Sequence, residues 1–194
     1  MADIVKEYKY KTFFDTFNIN PENIPWYFID STSNVDYLKF LHKDTLKVIS
    51  ENPQLVHNLI HNENLDGDSF LKNQSVKYVF DFCEKNQIPI KKILRIKLNL
   101  LLKNNTKTNF FHTPHVDNNQ QPHNVLLFYQ NDSDGDTVVF KEKFNLYKNQ
   151  KLSISKRIKP KKEKVINFNG FHWHTSCSPL QNNFRIVMNV NYVV

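Results

Sequence analysis

Residues 93–100 read ILRIKLNL, and this alternation of apolar and polar side chains decides the fold class. Successive side chains of a β-strand point to opposite faces of its sheet, so such a strand has one apolar and one polar face. Arg95, Lys97 and Asn99 share the polar face. The stretch therefore predicts a strand whose apolar face packs on a core.

Further strand-like runs follow, separated by turns that are rich in Asn, Asp and Pro. Their predicted bounds are 110–117, 123–130, 137–141, 152–158, 164–168, 171–175 and 184–193. The run 131–136, NDSDGD, is a strong turn signal. Many short strands after a helical region predict an α+β protein with a double-stranded β-helix, the cupin-like jelly roll.

The first thirty residues read as short strands and loops packed on the core, and from Asn34 the pattern is mainly helical. Asn34 can cap a helix with apolar positions at Val35, Leu38, Leu41, Leu46 and Ile49. Pro53 ends this pattern, and a short helix is expected from there through Ile60. A second strong helix is predicted from Asp68 or Ser69 to about Asn86.

Composition favours a globular protein of 194 residues, with 40% hydrophobic and 13% aromatic residues. No apolar run is long enough to span a bilayer, and the N-terminus lacks a signal-peptide core. The two cysteines, Cys83 and Cys177, suit a reducing compartment. We therefore expect a soluble, cytoplasmic protein without a membrane partner, and the sequence leaves its oligomeric state open.

The net charge of +7 is compatible with a nucleic-acid partner. However, the lysines are scattered, and the chain is also rich in asparagine, which indicates a general bias in composition. The densest basic run, Lys156 to Lys164, is interpreted as a solvated hairpin edge, because lysine is common on edge strands.

His115 and Asp117 are candidate metal ligands. Side chains two residues apart project from the same side of an extended strand, so both can reach one metal ion. A histidine from elsewhere in the chain would complete the 2-His-1-carboxylate triad of non-haem Fe(II) oxygenases. His172 and His174 both offer that ligand, and alternation places them on one face, so spacing alone does not separate them.

Arg185 lies in the last strand-like run, where its neighbours are apolar on both faces. A buried arginine without an anionic partner is costly. Guanidinium groups bind carboxylates through paired hydrogen bonds, so the run predicts an anion-binding arginine.

The order His-x-Asp, distant His, Arg resembles that of the Fe(II)/2-oxoglutarate-dependent dioxygenases. Over residues 93–194 the chain is most similar to their prolyl-4-hydroxylase-like branch, including short phage and marine microbial members. The resemblance favours His174 over His172 as the third ligand. It implies one dioxygenase domain, residues 1–194, in which 1–90 are a mainly helical support and 91–194 the jelly-roll core with the metal site.

The resemblance also implies the chemistry. His115, Asp117 and His174 would bind Fe(II), and Arg185 would hold the distal carboxylate of 2-oxoglutarate. Some relatives carry a hydroxyl residue two positions after this arginine, where Val187 stands here. A different group must then help Arg185 to bind the distal carboxylate, and the candidates are Asn99, Tyr129 and Thr137.

With O2, and ascorbate as reductant, such an enzyme releases succinate and CO2 while it hydroxylates its substrate. A peptide or small molecule is expected, with hydroxylation of an amino-acid side chain and a prolyl residue as the leading choice. Phe111, Phe171 and Trp173 could form an apolar slot for the ring.

Other functions remain open. The same site could serve a nucleic-acid or nucleoside demethylase, in which the aromatic residues stack on a base. A cupin-like module could bind metal without redox turnover. A zinc hydrolase would also use two histidines and an aspartate, but no positioned general base is evident.

Overall fold

Two antiparallel β-sheets form the body of the protein in a computed structural model that describes residues 3–61, 71–104, 110–147 and 149–194. The strands are β1 (Val5–Lys9), β2 (Tyr27–Ile29), β3 (Gln54–His61), β4 (Lys92–Leu102), β5 (Asn124–Tyr129), β6 (Thr137–Lys143), β7 (Ile154–Ile158), β8 (Lys164–Asn169), β9 (His172–Ser176) and β10 (Phe184–Val193). The α-helices are α1 (Phe13–Phe17), α2 (Lys43–Leu46) and α3 (Lys72–Lys85), and short 3-10 helices span Pro21–Asn23 and Val35–Phe40.

The larger sheet has the strand order β1-β8-β5-β10-β4-β3-β2, and the smaller has the order β7-β6-β9. Apolar side chains of β5, β8 and β10 pack with residues of β6 and β7, so the two sheets face each other across a shared core. The strands from β4 onward thus form the double-stranded β-helix that the pattern of short strands predicts.

Alternation along the central strands separates a core face from a cavity face. Ile96 and Leu98 of β4 join Ile186 and Met188 of β10 in a core that α1 and α3 cover. The residues between them, such as Asn99, point to the space between the sheets. The ILRIKLNL pattern therefore predicted both the strand and the direction of its apolar face correctly.

The helical predictions are partly correct. Asn34 is a cap, with its side chain accepting a hydrogen bond from the Asp36 amide at 2.8 Å, but it caps the 3-10 helix Val35–Phe40. A separate short helix, α2, follows, so the predicted long helix is broken in two. Helix α3 ends near Asn86 as expected and begins at Lys72. The predicted start at Asp68 or Ser69 lies outside the described residues.

The predicted short helix through Ile60 is wrong, because this segment is strand β3 of the larger sheet. The register between β3 and β4 shifts between Asn58 and Ile60. Such a bulge interrupts the two-residue period, which hides the strand from a pattern search. The first 90 residues therefore contribute β1, β2 and β3 to the sheet in addition to helices.

The predicted strand 110–117 is not a continuous strand. It forms two isolated bridges, from Phe111 to Ile49 and from His115 to His174. Between them, Pro114 offers no amide hydrogen for a ladder. This irregular segment carries the His-x-Asp pair to the edge of the smaller sheet.

Candidate active site

A cavity of about 400 Å³ lies between the two sheets. Its walls come from β4, β5 and β10 of the larger sheet and from β6 and β9 of the smaller one, and residues 32–37 contribute as well. The candidate metal ligands and Arg185 all line this cavity. The fold therefore brings the sequence-predicted residues into one space.

His115, Asp117 and His174 form a cluster that could hold a metal ion. One ligand atom from each lies within 4.8 Å of the others. The backbones of the two histidines are paired, with the amide of His115 donating to the carbonyl of His174 at 2.9 Å and the reverse bond at 3.0 Å. This bridge places side chains from two distant segments next to each other.

Hydrogen bonds orient both imidazole rings. The Nδ1 atom of His115 lies 3.0 Å from the carbonyl oxygen of Thr113, and Nδ1 of His174 lies 3.0 Å from that of His172. A carbonyl oxygen only accepts, so Nδ1 carries the proton in each ring and Nε2 keeps its lone pair. None of the described residues forms a hydrogen bond with Nε2 of His174. Both rings are therefore in the tautomer that binds a metal through Nε2.

The charges also suit a cation. Burial, and then the neighbouring His174, lower the pKa of His115 to about 4, so its imidazole is neutral at pH 7. Burial by itself would raise the pKa of Asp117, but Arg95 and the two histidines hold it well below its usual value. The cluster thus presents an anionic oxygen and a neutral nitrogen without prior loss of a proton.

Three residues fix the carboxylate of Asp117. Arg95 forms an ion pair with Oδ1 at 2.7 Å, and the side-chain amides of Asn191 and Asn189 donate to Oδ2 at 2.8 and 3.2 Å. Each carboxylate oxygen has two lone pairs, so Oδ2, which accepts from both asparagines, has none left, and Oδ1 retains one for a metal. The sequence reasoning missed these partners. Asn189 and Asn191 share the two-residue period of Arg185, which could have identified them.

Arg185 is buried, with 2% of its surface exposed, and no carboxylate among the described residues forms an ion pair with it. Its Nη2 donates to Oγ1 of Thr137 at 2.7 Å, and the hydroxyl of Tyr129 donates to the same oxygen at 2.8 Å. Its Nε has no hydrogen-bond partner among the described residues. Asn99 lines the same cavity and pairs with Val187, two residues along β10 from Arg185.

His172 lies apart from the cluster. Its Nδ1 is 3.0 Å from the carbonyl oxygen of Phe140, and His172 does not line the cavity. The register between β6 and β9 is irregular between the position of His172 and that of His174. The two side chains therefore do not reach the same site, although they are two residues apart on one strand. The structure therefore brings His174 to His115 and Asp117.

The expected apolar slot is absent from the described cavity wall. Phe111 and Trp173 are buried in a separate core on the smaller sheet, and Phe171 contacts His123. Tyr37 is the aromatic residue that does line the cavity, with its ring centre 6.5 Å from that of His115. The prediction that Phe111, Phe171 and Trp173 shape a substrate slot is therefore wrong.

Glu51 does not line the cavity, but its hydrogen bonds hold two segments of the cavity wall together. Its carboxylate accepts hydrogen bonds from the amides of Thr32 and Thr113, both at 2.8 Å, and from the Thr32 hydroxyl. It therefore ties residues 32–37 of the cavity wall to the segment that carries His115. His112 is buried nearby, with its ring nitrogens 3.1 and 3.0 Å from the hydroxyls of Ser176 and Ser178.

Comparisons with known proteins establish the fold. No protein-family model and no curated protein sequence matches the chain. A 2OG-Fe(II) oxygenase family oxidoreductase from Burkholderia pseudomallei is similar in structure, with TM-score 0.62, 12% identity, and coverage of 97% of this chain and 84% of that one. A prolyl hydroxylase from Trichoplax adhaerens, in complex with a hypoxia inducible factor peptide fragment, gives TM-score 0.55, 11% identity, and coverage of 98% and 84%.

A non-haem alpha-ketoglutarate-dependent carbocyclase from nogalamycin biosynthesis gives TM-score 0.50 and 9% identity, over 94% of this chain and 85% of that one. The chain therefore has the jelly-roll fold of 2-oxoglutarate oxygenases, and the predicted α+β fold class is confirmed. The finer similarity to phage and marine microbial members stays a prediction. Among the described helices, none has the length and apolar character needed to cross a membrane.

Proposed function

We propose that the chain, as one domain of residues 1–194, is an Fe(II)- and 2-oxoglutarate-dependent oxygenase that hydroxylates a peptide or amino-acid side chain. The observation that carries the proposal is the convergence, in one cavity, of a His-Asp-His cluster and a buried arginine without a carboxylate partner. Two histidines and one carboxylate with open positions suit a non-haem iron centre.

His115, Asp117 and His174 would hold the metal through two Nε2 atoms and one carboxylate oxygen. With iron, 2-oxoglutarate and O2 bound, such a centre hydroxylates a substrate carbon and releases succinate and CO2. Hydrogen bonds through Nδ1 hold both rings in the orientation that leaves Nε2 free for the metal. Arg95 and the two asparagines keep Asp117 ionised and in place.

Arg185 and Thr137 would bind the distal carboxylate of 2-oxoglutarate. Thr137 Oγ1 already accepts two hydrogen bonds, from Arg185 and from Tyr129. A hydroxyl has two lone pairs and one proton, so the Thr137 proton is left to donate to an anion in the cavity. Asn99, two residue pairs along the sheet from Arg185, is the third candidate contact for the co-substrate.

A prolyl residue is the leading substrate. Support comes from the similar Trichoplax adhaerens structure, which is a prolyl hydroxylase in complex with a peptide fragment. We place the activity in the cytoplasm because Cys83 and Cys177 are both free, which suits a reducing compartment.

A nucleic-acid demethylase is the second candidate, favoured by the net charge of +7. However, five of the six basic residues from Lys156 to Lys164 form ion pairs with acidic neighbours, although Glu7 is shared by two of them. The ion pairs are Lys156 and Lys164 with Glu7, Arg157 with Asp136, Lys161 with Asp132, and Lys162 with Asp15. Binding driven by phosphates would weaken steeply with added salt, whereas turnover of a short peptide would change much less.

A succinate-release assay with Fe(II), ascorbate and 2-oxoglutarate tests the proposal. We expect succinate with free amino acids or proline-containing peptides, and little dependence on salt. Product only from methylated oligonucleotides, with strong salt dependence, would establish the demethylase function instead. Metal binding without any decay of 2-oxoglutarate would indicate a non-redox binding module.

A further inference from the structure

Strands β4 and β10 build a polar wall along the cavity. The sheet register pairs Lys97 with Asn189, and both side chains line the cavity beside the metal cluster. Directly paired side chains on one face of an antiparallel sheet have Cβ atoms about 5 Å apart. Groups on these two residues can therefore contact one small ligand at the same time.

Lys97 is a cation without a partner. Among the described residues, its ammonium group has neither a hydrogen bond nor an ion pair, whereas Arg95 on the same face is paired with Asp117. Burial, and then the nearby Arg95, lower the pKa of Lys97 to about 8, so most of it is still charged at pH 7. The side chain is half-buried and lines the cavity, so an anionic ligand in the cavity could pair with its ammonium group.

Asn189 offers an acceptor next to this cation. Its Nδ2 donates to the carboxylate of Asp117, which only accepts, so the orientation of the amide is fixed. Its Oδ1 is buried and has no hydrogen-bond partner in the described part of the chain. An unsatisfied buried carbonyl oxygen is costly, so a ligand with an N–H group would bind favourably here.

The co-substrate does not use these groups. In the proposed function, 2-oxoglutarate takes Arg185, which lies further along the same wall, and Thr137 on β6 of the facing sheet. Lys97 and Asn189 then remain for the molecule that is oxidised. An unpaired ammonium and a free amide oxygen side by side match a carboxylate with an adjacent N–H group.

We propose that the substrate is a free α-amino acid, whose carboxylate pairs with Lys97 and whose amino group donates to Oδ1 of Asn189. This inference rests on the proposed function and narrows its substrate class. A residue inside a peptide chain has no free carboxylate and would leave Lys97 unpaired.

Ligand-observed NMR on the protein loaded with Zn(II) and 2-oxoglutarate tests this inference. The probes are the common free L-amino acids, each compared with its C-terminal amide. At least one amino acid should bind, and its amide should bind at least about tenfold more weakly. The inference is overturned if no amino acid binds, or if the amides bind equally well.

Variants test whether Lys97 causes the preference for the amino acid over its amide. Lys97→Met should remove the preference for the acid over the amide, and Lys97→Gln serves as a second variant if the first folds poorly. Lys103→Met is the matched control, since Lys103 is exposed just beyond the same strand, and it should keep the preference. An unchanged preference in both Lys97 variants would refute the assignment.

Binding of Zn(II) and 2-oxoglutarate tests the proposed function, whereas binding of the amino-acid probes tests this inference. Binding of Zn(II) and 2-oxoglutarate is measured first by calorimetry, and its failure counts against the oxygenase proposal alone. Lys97 and Asn189 need no metal to be in place, so the acid and amide probes are also compared on the metal-free protein. There too, the preference should depend on Lys97.

Discussion

The backbones of His115 and His174 are joined by two hydrogen bonds, at 2.9 and 3.0 Å, although the residues belong to distant segments. The contact is an isolated bridge, outside any continuous strand. Because these bonds involve only the main chain, replacing either side chain leaves the pairing intact. Substitutions at the two histidines therefore test ligand roles with little disturbance of the fold.

The first prediction concerns the metal. His115→Ala, Asp117→Ala and His174→Ala should each weaken binding of a divalent metal by at least about 100-fold. Loss of a group that merely supports a metal ligand already costs about 10–100-fold, so loss of a ligand should cost more. Isothermal calorimetry gives the affinities. His172→Ala is the control and should bind metal normally. If that variant alone lost the metal, the assignment of His174 would be wrong.

The second prediction concerns 2-oxoglutarate. Arg185→Ala should weaken its binding to the metal-loaded protein by about 2–5 kcal/mol, the range for loss of one partner from a buried charge pair. Thr137→Val should weaken it less, because one hydrogen bond is lost. Metal affinity should change little in both. Arg157→Ala is the control, since Arg157 pairs with Asp136 away from the cavity. Normal 2-oxoglutarate affinity in the Arg185 variant would contradict the role.

The third prediction concerns Glu51. Glu51→Ala should lower the free energy of unfolding by about 2–4 kcal/mol, because hydrogen bonds to a charged group contribute about 1.5–3 kcal/mol each. It should also weaken metal binding, since the segment that carries His115 loses its anchor at Thr113.

Denaturant unfolding and metal titration check both effects of Glu51. Glu51→Gln, which keeps an acceptor oxygen, should be intermediate. Glu142→Ala is the control, because Glu142 accepts a single exposed hydrogen bond from the Ser153 amide. Equal stability of the Glu51 and Glu142 variants would show that Glu51 has no special supporting role.

The fourth prediction concerns pH. Burial lowers the pKa of His112 and of His115 to about 4 in the folded protein, whereas an unfolded histidine titrates near about 6.5. The unfolded state therefore takes up protons first as the pH falls. The metal-free protein should lose about 2 kcal/mol of stability per histidine between pH 7 and pH 5.

Urea unfolding in the presence of a chelator at a series of pH values measures this loss. His112→Gln should be less stable at pH 7, because the pairing with Ser176 and Ser178 changes, but its stability should depend less on pH. An identical pH dependence in the variant and the wild type would mean that His112 does not titrate between pH 7 and pH 5.

The sequence alone determined the fold class and the main candidate residues. The two-residue period of residues 93–100 is a local property of strands, and it gave the correct faces of β4 because one face meets a core. The His-x-Asp pair, a distant histidine and Arg185 were likewise visible as residue types in a fixed order. The two-residue period did not predict the structure correctly where a bulge or a proline interrupts it, as in β3 and in residues 110–117.

Tertiary structure alone decided which groups meet. Sequence spacing places His172 and His174 on one face, but only the backbone pairing with His115 brings His174 to Asp117. The contacts of Arg95 and Asn191 with that carboxylate also join strands that are far apart in sequence. Pairing between β4 and β10 depends on the global register of the sheet, and no short stretch of sequence contains that register.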